Sequence, residues 1–163
     1  VYGANTEMPF TEYQKTETQM SFYAATKKSC EIISHTYSHI HNLPITNFRF
    51  FTVYGPWGRP DMALFKFTKA ALSDKEIEVF NDGEMVRDFT YIDDIVDGVV
   101  SVLDNPATED SSWNPSKPLA SSSSAPYKLY NIGNSQPINL MEFISILEEI
   151  LCRMLRRKMS PRF

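Results

Sequence analysis

The sequence predicts an α/β protein, because helix-patterned and strand-patterned segments alternate along the chain with turn formers between them. Between Ser21 and Asn42 the apolar residues Ala25, Cys30, Ile33, Tyr37 and Ile40 recur at spacings of three to five, a helical stripe that Pro44 stops. The next run, Ile45 to Val53, is β-branched and aromatic. It ends in Tyr54-Gly55-Pro56-Trp57-Gly58-Arg59-Pro60, dense in turn formers, so a strand feeds a shaped loop.

The remaining elements follow in the same alternation. Met62 to Leu72 reads as a helix, Ile77 to Phe80 as a short strand, Asn81-Asp82-Gly83 as a turn, Val86 to Tyr91 as a strand and Asp93 to Leu103 as a helix. Asp93 and Asp94 open that last helix, where carboxylates satisfy free backbone N–H groups, so capping outranks metal binding. Residues 105–126 carry three Asn-Pro or Lys-Pro pairs and the serine run 121–124, lack apolar periodicity, and read as a mobile surface insertion. Order returns with Tyr127 to Ile132 as a strand and Gly133-Asn134 as a turn. Asn139 then caps a helix from Leu140 to about Leu151, with Glu142 at the capping-box position. Val1-Tyr2-Gly3 reads as the end of a strand, and with no initiator Met the chain looks cut.

Composition narrows the function classes. At 163 residues and 42% hydrophobic, the chain can hold one ordinary core. A net charge of −4 gives no basic footprint for nucleic acid, so an anionic ligand must be met by a few placed Arg or Lys side chains. Cys30 and Cys152 show no metal spacing, and no apolar run approaches a membrane span. We therefore expect free thiols, a cytoplasmic protein, and neither membrane nor metal. His35 and His39 stand at i, i+4, a spacing that can hold zinc, but without a His-Glu-x-x-His glutamate or an obvious third ligand they read as a bland helix surface.

Tyr23-Ala24-Ala25-Thr26-Lys27 places a phenol and an ammonium one helical turn apart on the same face. A nearby cation favours phenolate and so makes Tyr23 a usable general acid/base. Tyr-x-x-x-Lys is common on ordinary helices, and the surrounding motifs must decide its meaning.

Those motifs are Val1-Tyr2-Gly3, Tyr23 to Lys28, Arg49-Phe50-Phe51-Thr52-Val53-Tyr54-Gly55-Pro56 and Arg87-Asp88-Phe89-Thr90-Tyr91-Ile92-Asp93-Asp94. In this order and spacing they resemble the extended short-chain dehydrogenase/reductase family. Within it, Tyr23 to Lys28 and Arg49 to Phe67, including Pro56-Trp57-Gly58-Arg59-Pro60-Asp61-Met62-Ala63, look most like UDP-glucuronate 4-epimerases. The resemblance implies the C-terminal half of a Rossmann-type doubly wound sheet plus part of a smaller substrate-binding α/β region. Residues 1–56 would belong to the NAD-binding domain with its catalytic helix, and 57–150 to a mixed, largely substrate-binding region. It implies NAD as cofactor, a UDP-sugar as substrate and a homodimer in the full-length form.

By the same resemblance Tyr23 exchanges a proton with the C4 hydroxyl, and Lys27 holds the nicotinamide ribose and favours the phenolate. Thr52 lies beside the uronate carboxylate, Arg87 on the diphosphate and Arg59 in a loop over the substrate, while Val79 and Phe80 pack the uracil. Another UDP- or dTDP-sugar epimerase, dehydratase or decarboxylase, or a non-catalytic remnant, is the alternative. The chain departs from the family pattern in three ways. No phosphate-binding glycine loop or ribose carboxylate is present, and the Ser/Thr of the triad would precede Val1. Residues 151–163 read as a non-family basic tail, by preference a frameshift or misread gene end, with a basic anchor for a partner as the minor alternative.

Overall fold

The computed structural model describes residues 1–161 as an α/β protein with helices α1 (Phe22–His41), α2 (Ala63–Leu72), α3 (Ile92–Leu103) and α4 (Leu140–Leu151). The strands are β1 (Ile45–Phe50), β2 (Thr52–Tyr54), β3 (Glu76–Phe80), β4 (Val86–Tyr91), β5 (Tyr127–Ile132), β6 (Pro137–Asn139) and β7 (Arg156–Ser160). They form three short ladders: β1–β5 parallel, β2–β4 parallel with β6 antiparallel on β4, and β3–β7 parallel. Two compact units result, 1–50 with 96–132 and 51–95 with 133–163, so the path is interleaved.

In the first unit, Ser21 caps α1 by accepting from the Ala24 N–H, and β1 runs beside β5 from Ile45–Tyr127 to Phe50–Ile132. The apolar stripe of α1 does not face the core: Cys30, Ile33, Tyr37 and Ile40 are exposed, and the buried positions are Glu31 and Ser38. Glu31 faces inward because β1 presents Arg49 to it. Tyr2 is not in a strand, since none of the described strands runs beside it. It is buried, stacked on Phe10 with ring centroids 4.4 Å apart, and its hydroxyl donates to Asn131 at 2.6 Å.

The segment 105–126 forms no helix or extended strand, as its composition predicts, yet it is not a surface appendage. Ser121, Ser122, Ser123 and Ala125 are buried, and its backbone closes on itself and on β5 through Asp110 N–H to Ser123 O and Leu129 N–H to Ser121 O, both 2.9 Å. Small side chains let that backbone pack closely enough to satisfy its own polar groups, and composition alone does not reveal such pairing.

The second unit owns the clearest core: Phe67, Ala70 and Ala71 of α2, Ile77 and Val79 of β3, Leu140, Ile144 and Leu147 of α4, and Leu155. Ile144 and Val79 are 0% exposed. Asn139 caps α4 by accepting the Met141 N–H at 2.8 Å. The stretch expected as one strand from Ile45 to Val53 breaks at Phe51, because β1 ends its pairing with β5 at Phe50 and β2 starts pairing with β4 at Thr52. Of the expected basic tail, 151–163, the segment Arg156–Ser160 is a strand, and residues 162–163 lie outside the described residues. β7 sets Arg156 beside Glu76 and Lys158 beside Glu78 on the exposed side of the ladder, Leu155 enters the core, and Arg157 pairs with the buried Glu148 carboxylate. Alternating acids on β3 and bases on β7 make this cross-strand pairing favourable.

Candidate functional site

Two groups of sequence-selected residues occupy the two units. Tyr23 and Lys27 lie in the first turns of α1, where the 3.6-residue repeat puts them on one side. Lys27 Nζ stands 5.5 Å from the centroid of the Tyr23 ring. Tyr23 is 71% exposed and Lys27 is also exposed, so both reach solvent.

The same helix joins a buried polar hub. Arg49, 5% exposed, donates from Nε to Glu31 at 2.7 Å and from a terminal nitrogen to the other carboxylate oxygen at 2.8 Å, a two-pronged contact. Its other nitrogen donates to the Tyr2 hydroxyl at 3.1 Å, and Lys28 reaches Glu31 at 3.0 Å. Burial acts to raise the Glu31 pKa, but the hydrogen bonds from Arg49 and Lys28 outweigh it and hold the carboxyl below its ordinary value. Sequence reasoning missed this hub; the available signal was a lone arginine inside the apolar strand β1.

His35 is not a bland surface residue. It is half-buried, its Nε2 lies 2.8 Å from the Ser123 hydroxyl, and the Tyr127 ring meets it edge-on at 5.0 Å. Burial and then the neighbouring His39 lower its pKa. Among the described residues no three His, Cys, Asp or Glu side chains form a metal-sized cluster, and Cys30 and Cys152 are exposed and unbridged. No described helix is long and apolar enough to cross a membrane.

The second unit holds a cavity of about 440 Å³. Thr52 of β2, Arg59 of the following loop, Phe80 of β3 and Arg87 of β4 all line it. They converge because β2 and β4 are hydrogen-bonded neighbours with Thr52 opposite Phe89, while α2 and β3 supply Phe65, Phe67 and Ile77 to the apolar wall. Val79, expected beside Phe80, points the other way into the core, as strand alternation requires. The loop is tightly drawn: Gly55 takes φ +138°, and a Cβ there would lie 2.5 Å from the Ile92 side chain, so a larger residue would displace the loop.

The cavity's charges are balanced but not equivalent. Lys66, Arg59 and Arg87 line the cavity together with Asp61, Glu76 and Glu78. Arg59 forms an ion pair with Asp61, which holds that carboxyl below its usual range. The Arg87 side chain bonds the carbonyl of its neighbour Val86 at 3.1 Å, and among the described residues it has no carboxylate partner. Lys66, Glu76 and Glu78 carried no sequence signal beyond the alternation of β3.

The NAD dependent epimerase/dehydratase family profile matches residues 1–133. Protein CapI of Staphylococcus aureus is 55% identical over 157 residues, covering 96% of this chain and 47% of CapI. The probable UDP-glucuronate 4-epimerase of Rhizobium meliloti (strain 1021) is 45% identical over 162 residues, covering 99% of this chain and 48% of its own length. That similarity takes in the basic segment expected to lie outside the family pattern. Among solved structures, the UDP-glucuronic acid 4-epimerase of Bacillus cereus in complex with UDP-glucuronic acid and NAD superposes with a TM-score of 0.80 at 32% identity, covering 99% of this chain and 46% of that one. The chain thus spans about half the length of the relatives it matches. The profile match over most of its length and a Rossmann-like superposition lead to one conclusion: the chain belongs to the NAD dependent epimerase/dehydratase family.

Proposed function

We propose that this chain carries the acid–base helix and the sugar-nucleotide cavity of an NAD-dependent epimerase that converts UDP-glucuronate to UDP-galacturonate. The observation that carries the reading is the convergence of Thr52, Arg59, Phe80 and Arg87 on one cavity, with Arg87 lacking a carboxylate partner among the described residues. The relatives named UDP-glucuronate 4-epimerase support the substrate.

Each residue has a distinct task. The Arg87 guanidinium meets the diphosphate with a charge-assisted fork, and the Phe80 ring supports the uracil. The Thr52 hydroxyl donates to the uronate carboxylate. Arg59 reaches the substrate by exchanging its Asp61 partner for the anion. Tyr23 takes the proton from the C4 hydroxyl oxygen and later returns one, with the Lys27 ammonium 5.5 Å from its ring centroid. Both side chains stand in solvent, so a nicotinamide ribose and a sugar hydroxyl have access to them. A bound NAD, its nicotinamide ribose held by Lys27, would supply reversible hydride-acceptor chemistry at C4. The full-length protein is proposed to act as a cytoplasmic homodimer.

The test is an assay of the full-length protein carrying this chain with UDP-glucuronate, UDP-glucose and UDP-xylose in the presence of NAD⁺. Conversion of UDP-glucuronate to UDP-galacturonate is expected. Turnover of another sugar alone reassigns the substrate, and UDP binding with no turnover of any sugar assigns a binding remnant.

A further inference from the structure

Within this chain α1 is seated by polar contacts more than by apolar ones. Ile32, Ile33, Tyr37 and Ile40 face solvent, and the helix's buried residues are Glu31 and Ser38. Two contacts seat the helix: His35 meets Ser123 and the Tyr127 ring further along, and nearer Tyr23 the fork from Arg49 lies 2.7 and 2.8 Å from the two Glu31 oxygens. Arg49 is itself locked: it donates to the Tyr2 hydroxyl, which donates onward to Asn131, and its guanidinium carbon lies 4.9 Å from the Tyr2 ring centroid. A buried ion pair of this kind adds little net stability over apolar residues of similar volume, because desolvation offsets the attraction. It does specify geometry, since a planar fork accepts a carboxylate in one orientation.

Tyr23, Lys27 and Glu31 fall at i, i+4 and i+8 of α1, along one side of the helix. Fixing the azimuth of Glu31 therefore fixes that of the other two. We propose that Arg49 and Glu31 are positioning residues, a buried clamp that sets the rotation of α1 and so presents Tyr23 and Lys27 to the reacting sugar. The inference rests on the acid–base role of Tyr23 given above.

The experiment uses the full-length protein and the double variant Arg49→Met/Glu31→Met, which removes both charges and keeps volume. With kcat counted per UDP-binding site, so that unfolded protein does not enter, kcat falls by roughly 100-fold, the loss that a misplacement of about 1 Å can produce. KM for the sugar nucleotide stays within about threefold, because the proposed substrate contacts lie elsewhere. Arg49→Lys, which keeps the charge but not the fork, recovers only part of the rate. Should the double variant fail to fold, Glu31→Gln carries the same test, with a fall in kcat at unchanged KM. Parental kcat in a folded variant, or full recovery by Arg49→Lys, overturns the clamp. Parental kcat in Tyr23→Phe instead removes the acid–base reading beneath it, and the clamp's purpose with it.

Discussion

Replacing Arg87 by Met isolates the contribution of the cavity's cation without a carboxylate partner. The side chain is exposed and bonds the carbonyl of its own neighbour Val86 at 3.1 Å, so its loss leaves no buried partner stranded. Folding stability should move by no more than about 0.5 kcal/mol. Ligand binding should move much more. A hydrogen bond to a charged group is worth about 1.5–3 kcal/mol, roughly 10- to 150-fold in Kd, and exposure to solvent places Arg87 near the lower end. After the substitution Glu76 and Glu78 still line the cavity, Arg59 is engaged by Asp61, and Lys66 is the remaining cation on the wall. Calorimetric titration with UDP alone reads the effect on this chain, since the whole cavity belongs to one compact unit. The expected result is an affinity lower by about 10- to 30-fold, an unchanged Tm and a weaker dependence on salt. Equal UDP affinity in Arg87→Met and the parent would refute the assignment of Arg87 to the phosphate.

Other perturbations reach other links. Tyr23→Phe in the full-length protein should lower kcat by about 10²–10⁴ with UDP-sugar affinity within several-fold, measured by steady-state assay and calorimetry. Ile144→Ala, at a 0% exposed core position, should cost about 2–5 kcal/mol in denaturant unfolding, against less than 0.5 kcal/mol for the exposed Ile33→Ala. His35 has a folded pKa below its ordinary value near 6.5, so the unfolded chain binds more protons there and stability should fall as pH drops below about 6.5. His35→Gln should flatten that slope in thermal unfolding. The 163 residues contain no Gly-x-x-Gly-x-x-Gly, so titration of this chain with NAD⁺ should show no micromolar binding, and such binding would mean that the glycine loop is dispensable or supplied in trans.

Local patterning placed most elements within a residue or two. β4 and β5 match their sequence reading, as does α4, because β-branched or aromatic runs and an Asn cap are signals carried by adjacent residues. The losses came where distant partners decide. β1 and β2 read as one strand until β5 and β4 claimed different halves of it. The segment Arg156–Ser160 has no apolar alternation, and it is a strand through its in-register pairing with the distant β3. The serine run gained burial by backbone closure rather than by hydrophobicity.

The three arginines of the sequence motifs show why residue type alone does not assign a role. Each carries the same guanidinium, and what separates them is the distribution of carboxylates. Arg49 finds Glu31 in a buried site, where both charges are consumed and geometry is what remains to be gained. Arg59 finds Asp61 two residues on, in solvent, where the pair is worth little and can be exchanged for a ligand. Arg87 finds no carboxylate among the described residues, although Glu76 and Glu78 line the same cavity, and a cation kept beside an apolar wall without neutralisation is the arrangement that an incoming anion completes. The Arg59–Asp61 spacing is visible in the sequence, but the Arg49–Glu31 pairing depends on how α1 lies on β1. Arg87's lack of a partner depends on where β3 and β4 place their side chains. A site of this kind is therefore legible in sequence as a set of candidate residues, and it becomes a division of labour once the fold has paired some charges and left another open.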